Sequence, residues 1–191
     1  MGYISVLENI LDSVDVTVGG GSASAFSGAM AAGLIGMVAR LSLNKDYGLD
    51  DRKYIELADE LDSLNTSLIK GMQDDACAYL MITKAYKLPK ATDEEKVIRK
   101  DAIEKAGIDG ALVPLNNAGL CKRVYEIGKM LEGKSNKNAV SDLNIGISLA
   151  RVGVDGCIQN VEANLPLIKK ESVLEKFNSE IKNIKLKMEE I

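Results

Sequence analysis

Residues 16–40, which read VTVGGGSASAFSGAMAAGLIGMVAR, constrain the fold more than any other part of this chain. Three consecutive glycines precede a nearly uncharged run of small and apolar residues, and Ser22 stands where it could cap a helix. Small residues recur at every fourth position from Ser24 to Gly36, so on a helix they would lie along one face that a neighbour can approach closely. The pattern fits a phosphate-binding loop, a membrane span or the central helix of a bundle.

Composition excludes several classes of function. The 191 residues include no histidine, no tryptophan and only 4% aromatics, and the net charge is −4. Without histidine there is no Ser-His-Asp or Cys-His catalysis, and the usual catalytic zinc ligands are missing. The acidic charge and the scarcity of aromatics disfavour nucleic acid as a partner. The cysteines Cys77, Cys121 and Cys157 form no CxxC motif, which is typical of free thiols in a protein of the reducing cytoplasm.

Two of the three interpretations of the glycine-rich stretch are disfavoured by its details. The apolar run at residues 23–39 is at the short limit for a membrane span, contains serines and glycines, and ends at Arg40. The glycines lack the third glycine of the dinucleotide-binding fingerprint, and no βαβ unit follows. We therefore expect no membrane association and no nucleotide site.

Helical periodicity extends over the rest of the sequence, with no alternating pattern of useful length for a strand. Thr92 and Glu95 form a capping box, while Gly110 and Pro114 predict an interruption of the helix that follows it. The sequence predicts an all-α fold, a helical bundle with long antiparallel helices in a single domain at residues 1–191. The predicted helices lie at 3–14, 22–44, 51–88, 92–107 with a continuation to about 130, 139–164 and 171–189.

Asp75 lies on the apolar face of the helix predicted at 51–88. It is seven residues from both Leu68 and Ile82, a rotation of only about 20° in each direction. A carboxylate on a buried face is costly unless it is paired or functional, and burial would raise its pKa. The pattern alone leaves two interpretations open: an acid–base group, or a structural partner for a lysine or a helix terminus.

A second unusual stripe follows the helix at 139–164. Asp142, three glycines, Asn160 and Asn164 all lie within about 40° of one line. Because each helical glycine costs roughly 1 kcal/mol relative to alanine, their alignment indicates close approach by another group. That group is either a tightly crossing helix or a ligand in a groove floored by the glycines.

Five motifs together resemble one known family. They are GGGSASAFSGAMAAGLIGMVARLS, DxxAY at residues 75–79, KAYKLPKATDEEK at 84–96, NKNAVSD at 136–142 and QNVEANL at 159–165. Their sequence and spacing are similar to those of the formiminotetrahydrofolate cyclodeaminase and methenyltetrahydrofolate cyclohydrolase family, and they cover nearly the whole chain.

The resemblance implies an all-helical homodimer that binds a tetrahydrofolate in a cleft, needs no metal or added cofactor, and can associate with a formiminotransferase. It implies that Asp75 is catalytic, with Asp142 as its partner or as a group that orients the pterin. Neutral hydrogen bonds to the substrate are expected from Gly19, Gly20, Gly21, Ser22, Asn138, Asn160 and Asn164. Lys87, Lys90 and Lys137 are candidates for the carboxylates of the glutamate tail.

Three functions are weighed: the first is the one we expect, and the other two stay open as alternatives. In the first, 5-formiminotetrahydrofolate closes to 5,10-methenyltetrahydrofolate and releases ammonia. In the second, the methenyl compound is hydrolysed to 10-formyltetrahydrofolate. The third is a bundle that binds folate or a partner without catalysis.

Overall fold

The computed structural model describes residues 8–10 and 12–190, and this part of the chain contains helices and no strand. The all-α prediction is confirmed. Of the helix predicted at 3–14, residues 8–10 are helical and 12–14 are not, while 3–7 and 11 lie outside the described residues. Short 3-10 turns, Lys137–Ala139 and Leu165–Leu167, flank the fourth of the long helices. These helices are α1 (Gly20–Arg40), α2 (Asp51–Tyr86), α3 (Asp93–Leu131), α4 (Val140–Asn164) and α5 (Glu171–Glu189).

Helix α1 is the central helix. It begins at Gly20 after an N-cap at Gly19, so Ser22 lies inside the first turn and does not cap it. It is the one described helix long and apolar enough to cross a membrane, yet 67% of its most apolar 18-residue window is buried inside the protein. Helices α2 and α4 pack on either side of it. The apolar composition of α1 is therefore explained by its burial in the core of the bundle.

Helix α1 runs antiparallel to both α2 and α4. Gly21 and Gly36 of α1 face Asp75 and Leu61 of α2, in reverse order, and Gly28 and Ile35 face Gly153 and Gly146 of α4 in the same way. Asn65 Nδ2 of α2 donates to Ala29 O of α1 at 2.7 Å, and Ser27 Oγ of α1 donates to Leu149 O of α4 at 2.8 Å. Helix α5 packs its buried face, which includes Phe177, against the shared core. The predicted bundle with long antiparallel helices is thus confirmed.

The glycine stripe of α4 is a helix-packing surface. A Cβ on Gly153 would lie 3.1 Å from Ser24 O and 3.2 Å from Gly28 N, and one on Gly146 would lie 2.7 Å from Ile35 Cγ1. Gly156 faces the side chain of Ser24 in the same way. These glycines let α4 lie against the backbone of α1, so their interpretation as the floor of a ligand groove is wrong.

Helix α3 is continuous through Pro114, so the predicted interruption is also wrong. Proline has no N–H, and in a helix this leaves the carbonyl four residues earlier without its usual donor. Here that carbonyl belongs to Gly110, and Asn164 Nδ2 of α4 donates to it at 3.0 Å. A side chain from another helix therefore replaces the missing backbone donor.

This exchange predicts a coupling between Pro114 and Asn164. Asn164→Ala should lower the free energy of unfolding by about 1–3 kcal/mol, because it leaves the buried Gly110 carbonyl unsatisfied. In a Pro114→Ala background the restored N–H can bond to Gly110, so the same substitution should cost less than half as much. Urea unfolding of the wild type, the two single variants and the double variant measures this coupling.

Asn160→Ala is the matched control, because Asn160 Nδ2 donates to Gly156 O within its own helix. Its cost should be the same with either residue at position 114. An equal cost of Asn164→Ala in the two backgrounds would show that the Gly110 contact contributes nothing.

Candidate active site

A cavity of about 190 Å³ opens beside the N-terminus of α1. Its wall combines backbone of the glycine-rich stretch, one carboxyl group, two amides and an aromatic side chain. The lining residues are Val16, Thr17, Gly19, Gly20, Gly21, Asp75, Ala78, Tyr79, Ile82, Gly110, Asn160 and Asn164. The structure therefore brings together six of the residues that the sequence predicted.

Asp75 is held against the first turn of α1. Ser22 Oγ donates to Asp75 Oδ2 at 2.9 Å, and the backbone N–H of Ser22 donates to the same carboxyl group. The N-cap residue Gly19 has no side chain for this purpose, so a carboxyl group from α2 satisfies a donor of the first turn of α1. Asp75 is thus both the partner of a helix terminus and part of the cavity wall.

Glycine is needed opposite this carboxyl group. A Cβ on Gly21 would lie 2.6 Å from Asp75 Oδ2, too close for any side chain. Ser22 is fully buried and does not line the cavity, so its side chain contacts Asp75 rather than the cavity space. The glycine stretch therefore provides room for the carboxyl group as well as part of the wall.

Burial raises the pKa of Asp75 above the ordinary value for aspartate. The hydrogen bonds from Ser22 oppose this shift, because they stabilise the ionised form. Within residues 8–10 and 12–190, no lysine or arginine lines the cavity to offset the burial. A carboxyl group in such surroundings exchanges its proton closer to neutral pH, as a general acid or base requires.

The two amides present acceptors. Asn164 Nδ2 donates to Gly110 O and to Asn160 O, and Asn160 Nδ2 donates to Gly156 O. Both N–H groups of Asn164 and one of Asn160 are therefore used within the bundle. The Oδ1 atoms are left to accept hydrogen bonds from a molecule in the cavity, together with one N–H of Asn160.

Sequence reasoning assigned no role to Tyr79, Thr17 or Ile82, which also line the cavity. Tyr79 is 41% exposed and lies one helical turn after Asp75. This i, i+4 spacing puts the two side chains on the same face of α2. The spacing is visible in the sequence and could have indicated that Tyr79 lies in the same cavity as Asp75. An aromatic ring at this position offers a surface on which a flat heterocycle can stack.

The structure does not bring Asp142, Lys137 or Asn138 to Asp75 within one chain. Asp142 is 18 residues from Asn160 on α4, about 27 Å along the helix axis. The turn with Lys137 and Asn138 is fixed to the opposite end of α1, where Asn136 Nδ2 donates to Leu41 O at 2.9 Å. Residues on one line of a helix point in the same direction, but they can be far apart along its axis. For this reason Asp142 is not near Asp75 within one chain, although it shares a line with Asn160.

Lys87 and Lys90 follow the C-terminus of α2, and both are exposed. Lys87 lines neither the Asp75 cavity nor the cavity next to it, whereas Lys90 lines that second cavity. In residues 8–10 and 12–190, no three cysteine or carboxylate side chains lie close enough together to hold a metal ion.

The chain matches the family described as formiminotransferase-cyclodeaminase over residues 4–183, which is most of its length. It belongs to that family. A methenyltetrahydrofolate cyclohydrolase of Methylorubrum extorquens is 34% identical over 168 residues, which cover 83% of this chain and 78% of that enzyme. The family resemblance expected from the five motifs is confirmed.

Longer relatives match only in part. The formimidoyltransferase-cyclodeaminase of Mus musculus is 27% identical over 87% of this chain, and the match covers 31% of the mouse enzyme. Among solved structures, formiminotetrahydrofolate cyclodeaminase from Thermotoga maritima superposes with a TM-score of 0.86 and 22% identity, covering 99% of this chain and 90% of that one. This likeness shows that the two chains share the fold.

Proposed function

We propose that this family member is a one-carbon folate enzyme that hydrolyses 5,10-methenyltetrahydrofolate to 10-formyltetrahydrofolate. The observation that carries the proposal is the half-buried Asp75 carboxyl group, which among the described residues is the one carboxyl group in the cavity wall. Glycine backbone, two amides, Tyr79 and small or aliphatic side chains form the rest of that wall. The cyclohydrolase from Methylorubrum extorquens, which matches over most of both chains, supports hydrolysis as the reaction.

One acid–base group suffices for this reaction. Water adds through its oxygen to the methenyl carbon, the bond from that carbon to the N5 nitrogen breaks, and N5 gains a proton. The other proton of water is released, and the positive charge of the methenyl compound is lost with it. Asp75 takes a proton from the attacking water as a general base and returns it to N5 as a general acid.

The remaining lining residues bind and orient the pterin. Pterin rings carry N–H donors on one edge, and the Oδ1 atoms of Asn160 and Asn164 are acceptors without a described donor. The ring stacks on Tyr79, and the glycine backbone allows it to approach α1. This assignment uses one aspartate, in place of the pair expected from the sequence.

Cyclodeamination is the second candidate, and the formimidoyltransferase-cyclodeaminase from Mus musculus supports it. In that reaction the N10 nitrogen attacks the formimino carbon, the bond to the imino nitrogen breaks, and this nitrogen leaves as ammonia. The leaving nitrogen gains the hydrogen from N10 and one further proton. Asp75 can transfer the N10 proton to the leaving nitrogen, first as a general base and then as a general acid.

The two reactions are separated by assaying both substrates on the purified protein. We expect loss of the methenyl absorbance to exceed ammonia release from 5-formiminotetrahydrofolate. Asp75→Asn should lower turnover by a factor of about 10²–10⁴, the usual contribution of a general acid–base group. The variant should fold at least as stably as the wild type at a pH above the raised pKa of Asp75, since it removes a charge from a half-buried position.

Tyr86→Phe is a control on α2 outside the Asp75 cavity and should keep wild-type turnover. Near-normal turnover by a folded Asp75→Asn protein would disprove the assigned role. Binding of both folates without any turnover would favour the non-catalytic alternative.

We also propose a homodimer formed through the exposed face of α1 and α4. Apolar side chains on this face are between 38% and 59% exposed. At Gly33 of α1 a Cβ would meet Asn65 Nδ2 at 3.9 Å as its nearest described contact from another helix. A flat apolar face of this kind suits a second copy of the same helices. Its members include Met30, Met37, Leu41, Ile145 and Val152.

Val152→Glu should convert the dimer to a monomer in sedimentation equilibrium, because it would bury a charge in the apolar contact. Leu186→Glu, at a comparably exposed position on α5, should leave the dimer intact. A wild-type protein of one chain's mass, 20.6 kDa, would contradict the dimer.

Two further expectations from the sequence stay proposals. The formimidoyltransferase in the name of the mouse relative supports a functional association between this chain and a formiminotransferase. A cytoplasmic location is consistent with the free cysteines.

A further inference from the structure

Thr17 lines the Asp75 cavity, and the proposed reaction gives its hydroxyl group no task. The residue belongs to the segment that precedes α1, and it is half-buried. Among the described lining residues it carries the one aliphatic hydroxyl group, whereas Tyr79 carries a phenol. A hydroxyl group can donate one hydrogen bond and accept two, so its protein partners decide what it offers to a ligand.

Asp15 takes the proton of this hydroxyl group. Thr17 Oγ1 donates to Asp15 Oδ1, and the backbone N–H of Thr17 donates to the same oxygen at 3.0 Å. These two bonds hold the pKa of Asp15 below its ordinary value, and the bond from the hydroxyl group contributes the larger part. The Asp15 carboxyl group is therefore ionised at neutral pH and can only accept. Because its one proton is committed, Thr17 Oγ1 can only accept from a ligand.

Asp15 acts from outside the Asp75 cavity. It lines another cavity, of about 290 Å³, and Thr17 is shared by the walls of both. Val18, which follows Thr17, is 8% exposed and belongs to the hydrophobic core. Before Thr17, Asp12 Oδ1 accepts from the backbone N–H of Asp15 at 3.2 Å. The chain is thus held on both sides of Thr17.

The Asp75 cavity therefore presents acceptors from two elements. Oδ1 of Asn160 and Oδ1 of Asn164 belong to α4, and Thr17 Oγ1 belongs to the segment before α1. A ligand with an N–H toward each of them is favoured, whereas a ligand with a lone pair at either place sets acceptor against acceptor. A pterin has N–H donors on its pyrimidine ring in every oxidation state. Its second ring has an N–H at N8 only when that ring is reduced.

We propose that Thr17, positioned by Asp15, accepts a hydrogen bond from the N8–H of the pterin and so selects a reduced folate over a fully oxidised one. This rests on the proposed function, which supplies the folate. In folic acid, N8 has no hydrogen and carries a lone pair in the plane of the ring. A site built to bond an N–H rejects an analogue that lacks it, because the acceptor of the site is left without a partner.

The test titrates folic acid and 7,8-dihydrofolate into the protein by calorimetry. The two ligands share the double bond between N5 and C6 and differ in the reduction of C7 and N8, so their comparison isolates the N8–H. The wild-type protein should bind dihydrofolate about tenfold more tightly, at the low end of the effect of a lost partner. Thr17→Val keeps the shape of the side chain without its oxygen, and its two affinities should lie within about twofold of each other.

Substitutions of Asp15 test the positioning role. In Asp15→Ala the Thr17 hydroxyl group is free to donate to N8 of folic acid, so the preference should fall mainly because folic acid binds more tightly. Asp15→Asn should keep the preference, since the backbone N–H of Thr17 still orients an amide oxygen toward the hydroxyl group. Equal weakening of both ligands in Asp15→Ala would show a structural role only and would overturn the positioning role.

Asp46→Ala is the matched control, because Asp46 Oδ1 accepts from the backbone N–H of Gly48 at 3.2 Å in the loop after the other end of α1. It should keep the wild-type preference. Equal binding of the two ligands by the wild-type protein, a preference retained in Thr17→Val, or a preference lost in the control would each overturn the inference. Hydrolysis of methenyltetrahydrofolate without a preference for dihydrofolate refutes the assignment of Thr17 alone. A preference that depends on Thr17 without turnover refutes the proposed activity alone.

Discussion

The half-buried carboxyl group of Asp75 is the constraint on which the rest of the site depends. Among the described residues, no cation in the cavity wall compensates its charge, and two hydrogen bonds from Ser22 are its described support. Because its pKa is raised in the folded protein, the native state keeps the proton at a pH where the unfolded chain has lost it. The stability that Asp75 contributes is therefore present at low pH and is lost as the pH rises through the raised value. The ionised form of this half-buried group is a cost to the fold, as is common for a group retained for chemistry.

Small residues make this arrangement possible. Gly21 leaves room for the Asp75 carboxyl group, while Gly146 and Gly153 let α4 lie against the backbone of α1. Close packing of these helices sets Asn160 and Asn164 beside the N-terminus of α1. There Asn164 also replaces the donor that Pro114 lacks, so one amide both stabilises α3 and borders the cavity. Structure and binding surface are thus built from the same contacts.

Local patterns were enough to predict most of the fold. The capping box of Thr92 and Glu95 is present, and helix α5 begins and ends at the predicted residues, because these features depend on neighbours in the sequence. Pro114 was misjudged since its compensating donor, Asn164, is 50 residues away. The position of Asp75 on an apolar face was visible from periodicity. The separation of Asp142 from Asp75 could not be predicted in this way. Periodicity gives the direction of a side chain, but it does not show which ends of two helices meet.

The most direct test of the account is the pH dependence of kcat/KM for the wild-type protein and for Ser22→Ala. This ratio reports the pKa of the essential group in the free enzyme. The Ser22 hydroxyl stabilises the Asp75 carboxylate, so its removal should raise the pKa of Asp75 and shift the acidic limb of the profile to higher pH. An acidic limb that stays at the same pH in the folded variant would contradict the claim that Asp75, positioned by Ser22, is the acid–base group.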